Sequence, residues 1–341
     1  METKHKEILE QYNFKIHNSF RIRGAHIVET NEGPKLLKRL ECSINQVEFE
    51  DKIQQTLVKK GYPYTDLYVR NKYGEIITSD SGGNKFIIKS WCFGRECDLR
   101  KEDEVLNGVV NLAYIHKLLT NVPVSEYDRS YNVGLDLNET FDKRMRELKR
   151  IRAYIRQKKK KKEFEICFLR TYEHLYNQAI QASKLLKASK YEELLENAMV
   201  EGRICHGNYN YHNVIIADNK NRQRGINNNQ IITTNFDKAV IGIQICDLYD
   251  FIRKTMEKNN WDIELGNRMI QTYKLNYPLS KEEARLLYIL LLYPEKFWKV
   301  SNRYYNGKKA WVPKRTIQKL VDVKKQINNK DNFLKQLKEK L

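Results

Sequence analysis

The part of the sequence that most constrains the fold is residues 204–239. It contains three short apolar segments, and each predicts a buried strand because β-branched residues pack well on a pleated, buried backbone. A polar turn at residues 206–213 separates the first segment from the second, and an Asn-rich bend at residues 219–230 separates the second from the third. Another polar turn, residues 235–237, follows the third segment. The stretch therefore predicts three short strands joined by polar turns, with a hairpin at residues 219–230.

The N-terminal part of the chain predicts a small antiparallel sheet with one helix. The turn at residues 31–34, Asn-Glu-Gly-Pro, joins two strand signals and has the composition of a hairpin turn. Residues 43–60 follow a helical period in which Phe49, Ile53 and Leu57 share one face. The predicted strands are residues 25–29, 35–40, 68–70, 75–78 and 85–90, and a short helical lead-in covers residues 4–13.

The composition changes after Trp91, and the rest of the chain is mainly helical in pattern. Residues 92–95 predict a linker, and residues 121–138 predict a polar loop. We predict an α+β fold with two lobes, a β-rich lobe at residues 1–90 and a mainly helical lobe at residues 91–341. The predicted helices are residues 105–119, 141–162, 164–186, 191–199, 244–258, 262–275 and 280–294, followed by an aromatic segment at 297–311 and C-terminal helices.

The net charge of +19 is spread along the chain. Its densest run, residues 158–162, consists of lysine alone, and a run of this kind on a helix is typical of a solvated face. A strongly basic protein can bind nucleic acid or another anionic surface. No nucleic-acid-binding motif accompanies the charge, so we do not expect nucleic-acid binding to be the main function.

The six cysteines are scattered, and none forms a Cys-x-x-Cys pair. We therefore expect buried, reduced thiols and no zinc site. The longest apolar run, residues 286–293, is far shorter than the roughly 20 residues that cross a bilayer. The N-terminal residues are charged and lack the apolar segment of a signal peptide. We expect neither a membrane span nor a signal peptide.

The turn at residues 206–213 resembles the catalytic turn of kinase-type phosphotransferases, in which His-Gly-Asp is followed after four residues by Asn. In those enzymes the turn places a base, and Asp-Phe-Asp or Asp-Phe-Gly after the next strand holds metal. Here His206, Gly207, Asn213 and Phe236 keep this frame. The chain thus resembles the aminoglycoside phosphotransferase and choline kinase superfamily, and within it the CotS-type spore coat proteins. Other matching positions are Glu29, Thr30, Gly33, Leu37, Lys38, Arg39, Gly94, Arg95, Cys205, Asp247, Leu248, Trp261, Tyr273, Pro278, Leu279, Ser280, Leu292, Tyr293, Pro294, Phe297, Trp298, Tyr304 and Tyr305.

This resemblance implies a two-lobed protein-kinase-like fold and a role in assembly of the spore coat. It also implies synthesis in the mother-cell cytoplasm followed by location in the spore coat. Other spore coat proteins are the partners that it implies.

The chain departs from the family pattern at the two positions that carry the chemistry. Asn208 stands where the base, an aspartate, is expected, and Asn235 stands where an aspartate binds magnesium. An amide cannot take up a proton, and a neutral ligand removes a full charge from the shell of magnesium. We therefore expect a catalytically degenerate site in which His206 is structural and Asn213 is an oxygen donor. Asp237 follows Asn235 by two residues and could take over the metal, because both side chains would lie on one side of an extended chain.

Lys38 lies in an apolar strand, as does the lysine with which kinases bind nucleotide phosphates. We expect it to pair with a carboxylate, and Glu48, Glu50 and Asp237 all remain open as partners. A nucleotide would also contact the hinge at Ser90 and Trp91. We expect no cofactor to be required, and at most weak binding of ATP with Mg²⁺.

Three functions are open at this point. The first is a structural spore coat protein with a degenerate kinase-like fold. The second is an active ATP-dependent kinase for a small molecule or a protein, with Asp237 as the metal ligand. The third is a basic module that binds an anionic polymer. Stabilisation by nucleotide would separate the first two, and steep salt dependence of binding would indicate the third.

Overall fold

The computed structural model describes residues 3–22, 24–134, 136–218, 230–307 and 314–340. A five-stranded antiparallel sheet forms the N-terminal lobe, with strand order β1-β2-β3-β5-β4. The predicted hairpin at residues 31–34 is confirmed, and Gly33 adopts a φ of 85° in its turn. The strands are β1 Ile16–Ile22, β2 Ala25–Thr30, β3 Gly33–Arg39, β4 Ile77–Ser79 and β5 Lys85–Ser90.

Two helices cover the two faces of this sheet: α1 (Thr3–Leu9) and α2 (Ile44–Lys59). Successive residues of a strand point to opposite faces. Ile88 accordingly packs with Ile8 of α1, and its neighbour Ile87 packs with Val47 of α2. The lobe therefore has two helices in its core: α2, which corresponds to the predicted helix, and α1, which corresponds to the predicted lead-in.

The second lobe is mainly helical, and its largest core surrounds α3. Buried Leu112 of α3, Phe251 of α8 and Met269 of α9 belong to this core. Its helices are α3 Glu102–Leu118, α4 Glu126–Tyr131, α5 Leu137–Gln157, α6 Glu163–Lys187, α7 Tyr191–Val200, α8 Ile245–Lys258, α9 Ile263–Asn276, α10 Lys281–Leu292, α11 Glu295–Asn306 and α12 Lys314–Glu339. Its strands are β6 Gly94–Glu96, β7 Ile204–Cys205, β8 Val214–Ala217, β9 Ile231–Thr233 and β10 Val240–Ile241.

The three short strands predicted within residues 204–239 are confirmed as β7, β8 and β9. β8 and β9 pair with each other, whereas β7 pairs with β10. The predicted hairpin bend at residues 219–230 lies outside the described residues except for Gln230.

The prediction of a linker at residues 92–95 was wrong, because β6 begins at Gly94 and pairs antiparallel with β8. A Cβ on Gly94 would lie 2.5 Å from the carbonyl oxygen of Ile216, so only glycine allows this close approach. The strand thus fastens the connection between the lobes to the sheet of the second lobe. The predicted lobe boundary after residue 90 stays a prediction.

Three further predictions were incomplete. The predicted polar loop at residues 121–138 contains α4, which begins with a capping box between Ser125 and Asp128. The aromatic segment after Pro294 is mostly helical, and the described C-terminal residues form one helix, α12, rather than several. Polar and aromatic composition hid these helices, since neither shows a simple apolar period.

The lysine run at residues 158–162 was predicted to lie on a helix and instead connects α5 to α6. Like charges one turn apart destabilise a helix, so a run of lysines is a poor helix interior. Lys158 has an extended backbone and ends α5. Its Nζ lies 2.5 Å from Glu165 Oε1 in the first turn of α6. The run thus forms a turn held by an ion pair.

An ion pair fixes β6 to the start of α3. Both terminal nitrogens of Arg95 lie 2.7 Å from the carboxylate of Glu104, which also accepts a bond from the Asp98 N–H at 2.9 Å. These bonds hold the pKa of Glu104 at about 2, with Arg95 as the main cause. The lowered pKa stabilises the folded state above the unfolded pKa of about 4.5, and this contribution is lost as the pH falls towards 2.

We therefore expect Glu104→Gln to be less stable than the wild type at pH 7 and to lose less stability between pH 5 and pH 2.5. Melting temperatures across this range, with exposed Asp103→Asn as the matched control, check the expectation. The expectation would be contradicted if the melting temperature of Glu104→Gln fell between pH 5 and pH 2.5 by as much as that of the wild type.

Within the described residues, no helix is both long enough and apolar enough to cross a membrane. The six cysteines are all free thiols.

Candidate functional site

The polar turn after β7 is closed tightly against the loop that precedes β10. Gly207 has a φ of 74°, in the region that favours glycine. A Cβ at this position would lie 1.8 Å from the carbonyl oxygen of Lys238. Any side chain here would force the turn and the loop apart. Gly207 is therefore required for the two polar segments predicted from the sequence to meet.

His206 is buried, and its ring joins the same two segments. Its Nε2 donates to the carbonyl oxygen of Thr234 at 3.1 Å, and its Nδ1 accepts from the N–H of Asn208 at 3.2 Å. The ring also packs on Phe236, with 4.3 Å between centroids. Burial lowers the pKa of His206 and favours the neutral ring. With both nitrogens bound to backbone groups, His206 has no free site for a proton, which supports its predicted structural role.

Asp247 lies in the first turn of helix α8 and binds the backbone of the polar turn that begins at His206. Its carboxylate accepts bonds from the N–H groups of His206 at 2.6 Å and Gly207 at 2.9 Å. The Nε2 of His116 lies 3.2 Å from the same carboxylate. Asp247 is one of the positions that carry the family resemblance, but no role was predicted for it. The sequence signal for this role was a carboxylate in the first turn of an apolar helix. A buried carboxylate needs hydrogen-bond donors nearby, so its position predicts that it binds N–H groups of another segment.

Asn208 occupies the position of the expected base. Its Oδ1 and its carbonyl oxygen both accept from Asn210 Nδ2 at 2.8 Å, and the carbonyl also accepts from Asn213 Nδ2 at 2.9 Å. The amide nitrogen of Asn213 is thereby used within the turn. Its Oδ1 is the atom left to bind a cation. Asn208 and Asn213 thus lie together, as the sequence predicted.

Asn235 and Asp237 lie on the loop that faces this turn. Asn235 has a φ of 66°, a conformation that asparagine tolerates, and its N–H donates to Asp66 Oδ1 at 2.9 Å. Asp237 Oδ1 is buried and has no hydrogen-bond partner. Of the three predicted metal ligands, Asn213, Asn235 and Asp237, only Asp237 carries a charge. No group of three His, Cys, Asp or Glu side chains among the described residues could hold a metal ion.

A buried lysine outside the predicted set dominates the electrostatics behind this loop. Lys89 of β5 is 1% exposed, and its Nζ lies 2.5 Å from Glu50 of α2 and 3.3 Å from Asp66. The hydroxyl of Tyr68 donates to the other Glu50 oxygen. Burial alone would lower the pKa of Lys89, but Asp66 and Glu50 outweigh it and raise that pKa. Burial raises the pKa of Asp66. Lys89 is thus held as a cation between two carboxylates.

The predicted pairing of Lys38 was wrong. Glu50 pairs with Lys89 instead, and Glu48 is exposed on α2. Among the described residues no carboxylate lies within 4.0 Å of Lys38 Nζ, and the side chain is half-buried. Lys38 and Lys89 share one face of the sheet, opposite Ile87 and Leu36 respectively. Both lysines end an apolar run in their strand, so the sequence context alone does not distinguish them.

Lys38, Glu50 and Asp237 nevertheless all act on the pKa of one thiol, that of Cys42. Burial raises the pKa of the Cys42 thiol most, Glu50 and Asp237 raise it further, and Lys38 lowers it. These three charged groups of the predicted site therefore share an electrostatic effect on Cys42, but Lys38 has no ion pair among the described residues.

A family of proteins described as "Spore coat putative kinase YutH" matches residues 5–337. The chain belongs to this family. It is similar to Spore coat protein S of Bacillus subtilis (strain 168), with 23% identity over 345 residues that cover 98% of this chain and 93% of the relative. The predicted resemblance to spore coat proteins is thereby confirmed.

Two phosphotransferases are among the solved structures that this family member resembles. An aminoglycoside phosphotransferase from Alicyclobacillus acidocaldarius superposes with a TM-score of 0.84 and 16% identity, covering 98% of this chain and 95% of that one. Spectinomycin phosphotransferase in complex with ADP and spectinomycin gives a TM-score of 0.66 and 12% identity, covering 93% and 94%. These likenesses confirm the predicted two-lobed kinase-like fold.

In this spore coat protein both backbone donors of the predicted hinge, Ser90 and Trp91, form hydrogen bonds within the chain. The N–H of Ser90 donates to the Leu67 carbonyl at 2.7 Å, and the N–H of Trp91 donates to the Pro34 carbonyl at 2.9 Å. The Trp91 ring packs against the cluster that contains Leu36 of β3. A nucleotide base at this hinge would therefore find both N–H groups engaged, which the sequence could not indicate.

Proposed function

We propose that this protein is a structural component of the spore coat whose kinase-like site does not transfer phosphate at a useful rate. The observation that carries the proposal is the pair of amides: Asn208 lies in a turn that keeps its supporting residues, and Asn235 lies on the loop that faces this turn. His206, Gly207 and Asp247 keep the turn in shape. The scaffold is thus retained while its chemical groups are replaced.

The loss of the base is direct. Asn208 Oδ1 accepts a hydrogen bond from Asn210, and an amide has no basic lone pair with which to take a proton from an acceptor hydroxyl. General-base catalysis typically contributes 10²–10⁴-fold to a rate. His206 does not replace it, since both its nitrogens are bound to backbone groups.

The weakened metal site adds to this loss. Magnesium in phosphoryl-transfer sites is usually held by one or two carboxylates together with substrate phosphates. Asp237, with Asn213 as an amide donor, is what this chain offers in place of the usual aspartate at position 235. Electrostatic stabilisation of this type is worth on the order of 3–4 kcal/mol per group.

The lysine pairing is a third departure. A phosphate-binding lysine acts from a fixed position, which an ion pair with a helix glutamate provides in kinases. Glu50 is occupied by Lys89, so Lys38 lacks that support. Lys89 cannot act in its place, because it is 1% exposed and lies between two carboxylates.

A second candidate function, an active ATP-dependent kinase, is favoured by one observation. The buried Asp237 Oδ1 has no hydrogen-bond partner, and a buried carboxylate oxygen of this kind is a natural ligand for a divalent cation. Under this alternative Asp237 and Asn213 would hold Mg²⁺, and ATP would be the phosphate donor. The spectinomycin phosphotransferase that shares the fold is seen with ADP and with AMP.

The family membership and the likeness to Spore coat protein S motivate the proposed location. The protein is made in the mother-cell cytoplasm and is then incorporated into the coat, where other coat proteins are its partners. It needs no cofactor in this role. The net charge of +19 leaves the third function, binding of an anionic polymer, as an alternative that steep salt dependence would reveal.

A sporulation experiment tests the proposal. Strains that lack the native gene receive either the wild type or the triple variant Lys38→Met, Asn213→Ala, Asp237→Asn. We expect equal amounts of both proteins in coat extracts, because a structural role does not use these side chains. A triple variant that melts like the wild type but is missing from the coat, or that yields defective coats, would contradict the proposal.

A further inference from the structure

We propose that a cavity in the helical lobe, remote from the Asn208 turn, binds a small monovalent anion at Lys330. The cavity has a volume of about 40 Å³ and lies among α6, α8, α10, α11 and α12. None of the predicted site residues lines it. The anion is of the size of chloride or a short carboxylate.

Lys330 is a buried cation without a counter-ion. It is 8% exposed, and its Nζ donates to the Leu292 carbonyl at 3.1 Å and to Gln178 Oε1 at 3.4 Å. Both acceptors are neutral, and among the described residues no carboxylate lies within 4.0 Å. The neighbouring Asp331 is bound to His174 at 2.9 Å. An ammonium group has three donors. Lys330 Nζ also lies 5.5 Å from the centroid of the Trp261 ring, and among the described residues its third N–H has no hydrogen-bond acceptor.

Arg253 of α8 supplies a second unused donor. Its terminal nitrogens bind Glu257 and Asp250, each at 2.9 Å. Its Nε is buried and has no hydrogen-bond partner. Arg253 is 5% exposed and lines the same cavity as Lys330. Two buried cationic side chains from different helices therefore each keep a donor unpaired at one cavity.

The charges around the cavity also favour an anion. The lining has three cationic side chains and two anionic ones. Asp250 outside the lining pairs with Arg253, but Arg144 and Lys299 outside it pair with Glu295, so the positive excess remains when these partners are included. Burial lowers the pKa of Lys330 to about 8, because the charged form is desolvated there, and this cost exceeds the opposing effects of Asp331 and Glu257. Charge interactions are stronger in such a desolvated place than in water. The charged lining residues are Arg253, Lys296 and Lys330, against Glu257 and Glu295.

The size of the cavity limits its occupant. One water needs about 10–15 Å³ of this kind of space, so roughly three waters or one small anion would fill it. The rest of the lining is mostly apolar, but it also includes Gln326 and Tyr293, and the Tyr293 hydroxyl has no hydrogen-bond partner among the described residues. These two polar groups can bind water as well as an anion, but only an anion balances the charge of the two cationic donors. Large anions such as gluconate do not fit.

Melting temperatures at constant ionic strength and pH 7 test the inference. Sodium gluconate is replaced stepwise by sodium chloride, and separately by sodium acetate. At ten times the dissociation constant we expect a saturable rise of roughly 2–4 °C for the wild type. Lys330→Met should show no such rise, and Lys335→Met, an exposed lysine on the same helix, should respond like the wild type. In gluconate, Lys330→Met should melt above the wild type because it lacks the unpaired buried charge.

A second measurement locates the anion directly and does not depend on the variant. Crystals of the wild-type protein grown with sodium bromide should show an anomalous peak in contact with Lys330 Nζ. The inference is overturned if that peak is absent, or if the wild type and Lys330→Met respond equally to chloride and acetate. Either result would assign water to the cavity.

Discussion

Replacement of Lys89 by methionine is expected to lower the free energy of unfolding by about 3–5 kcal/mol. The change leaves the carboxylates of Glu50 and Asp66 buried without the cation that now lies between them. Tyr68 and Gln54 still donate to these carboxylates, but neutral donors do not balance their charge. Equilibrium unfolding in urea measures the loss.

Lys38→Met is the matched control, because it makes the same change on the same face of the same sheet. Lys38 is half-buried and has no ion pair among the described residues, so we expect a change within about 0.5 kcal/mol. A larger loss for Lys38→Met than for Lys89→Met would mean that Lys38 carries the ion pair, as the sequence first suggested.

Asp247→Ala is expected to cost about 3 kcal/mol or more. The N–H groups of His206 and Gly207 would both lose their acceptor while buried or closely packed, and each unsatisfied buried group costs about 1–3 kcal/mol. His116 would lose its contact with the carboxylate as well. Amide hydrogen exchange should accelerate at residues 206 and 207, in addition to the loss seen in urea.

Asp250→Ala, one turn further along α8, provides the comparison. Asp250 pairs with Arg253 at a partly exposed position, so we expect a loss near 1 kcal/mol and no change in exchange at the turn. Equal losses for the two variants, or an unchanged turn in Asp247→Ala, would show that Asp247 does not hold the turn.

The fold was largely predictable because its signals are local. The hairpin at Gly33, the period of α2 and the apolar segments of β7, β8 and β9 each depend on a few adjacent residues. Elements with weaker local signals were missed. β6 lies in a stretch that resembles a linker, and its strand character comes from pairing with β8, more than 100 residues away in the chain.

The site was predictable in composition but not in pairing. The polar turn residues His206, Asn208 and Asn213 do lie together, since a single turn contains them. The partner of Glu50 could not be found from the sequence, because Lys38 and Lys89 have the same strand context. Which lysine reaches α2 depends on the register of β3 and β5 and on the depth of the helix over the sheet. The role of Asp247 was hidden for a similar reason, as its partners come from a distant turn.

The central claim is that the site is catalytically degenerate for lack of two carboxylates. ATP hydrolysis by the wild type, Asn208→Asp, Asn235→Asp and the double variant, with magnesium and with manganese, tests it most directly. Groups that act on one transition state are strongly non-additive, so each single variant should stay near the rate without protein. We predict that the wild type is equally inactive and that only the double variant hydrolyses ATP measurably. Wild-type turnover that is lost in Asp237→Asn would contradict the claim and would establish an active kinase.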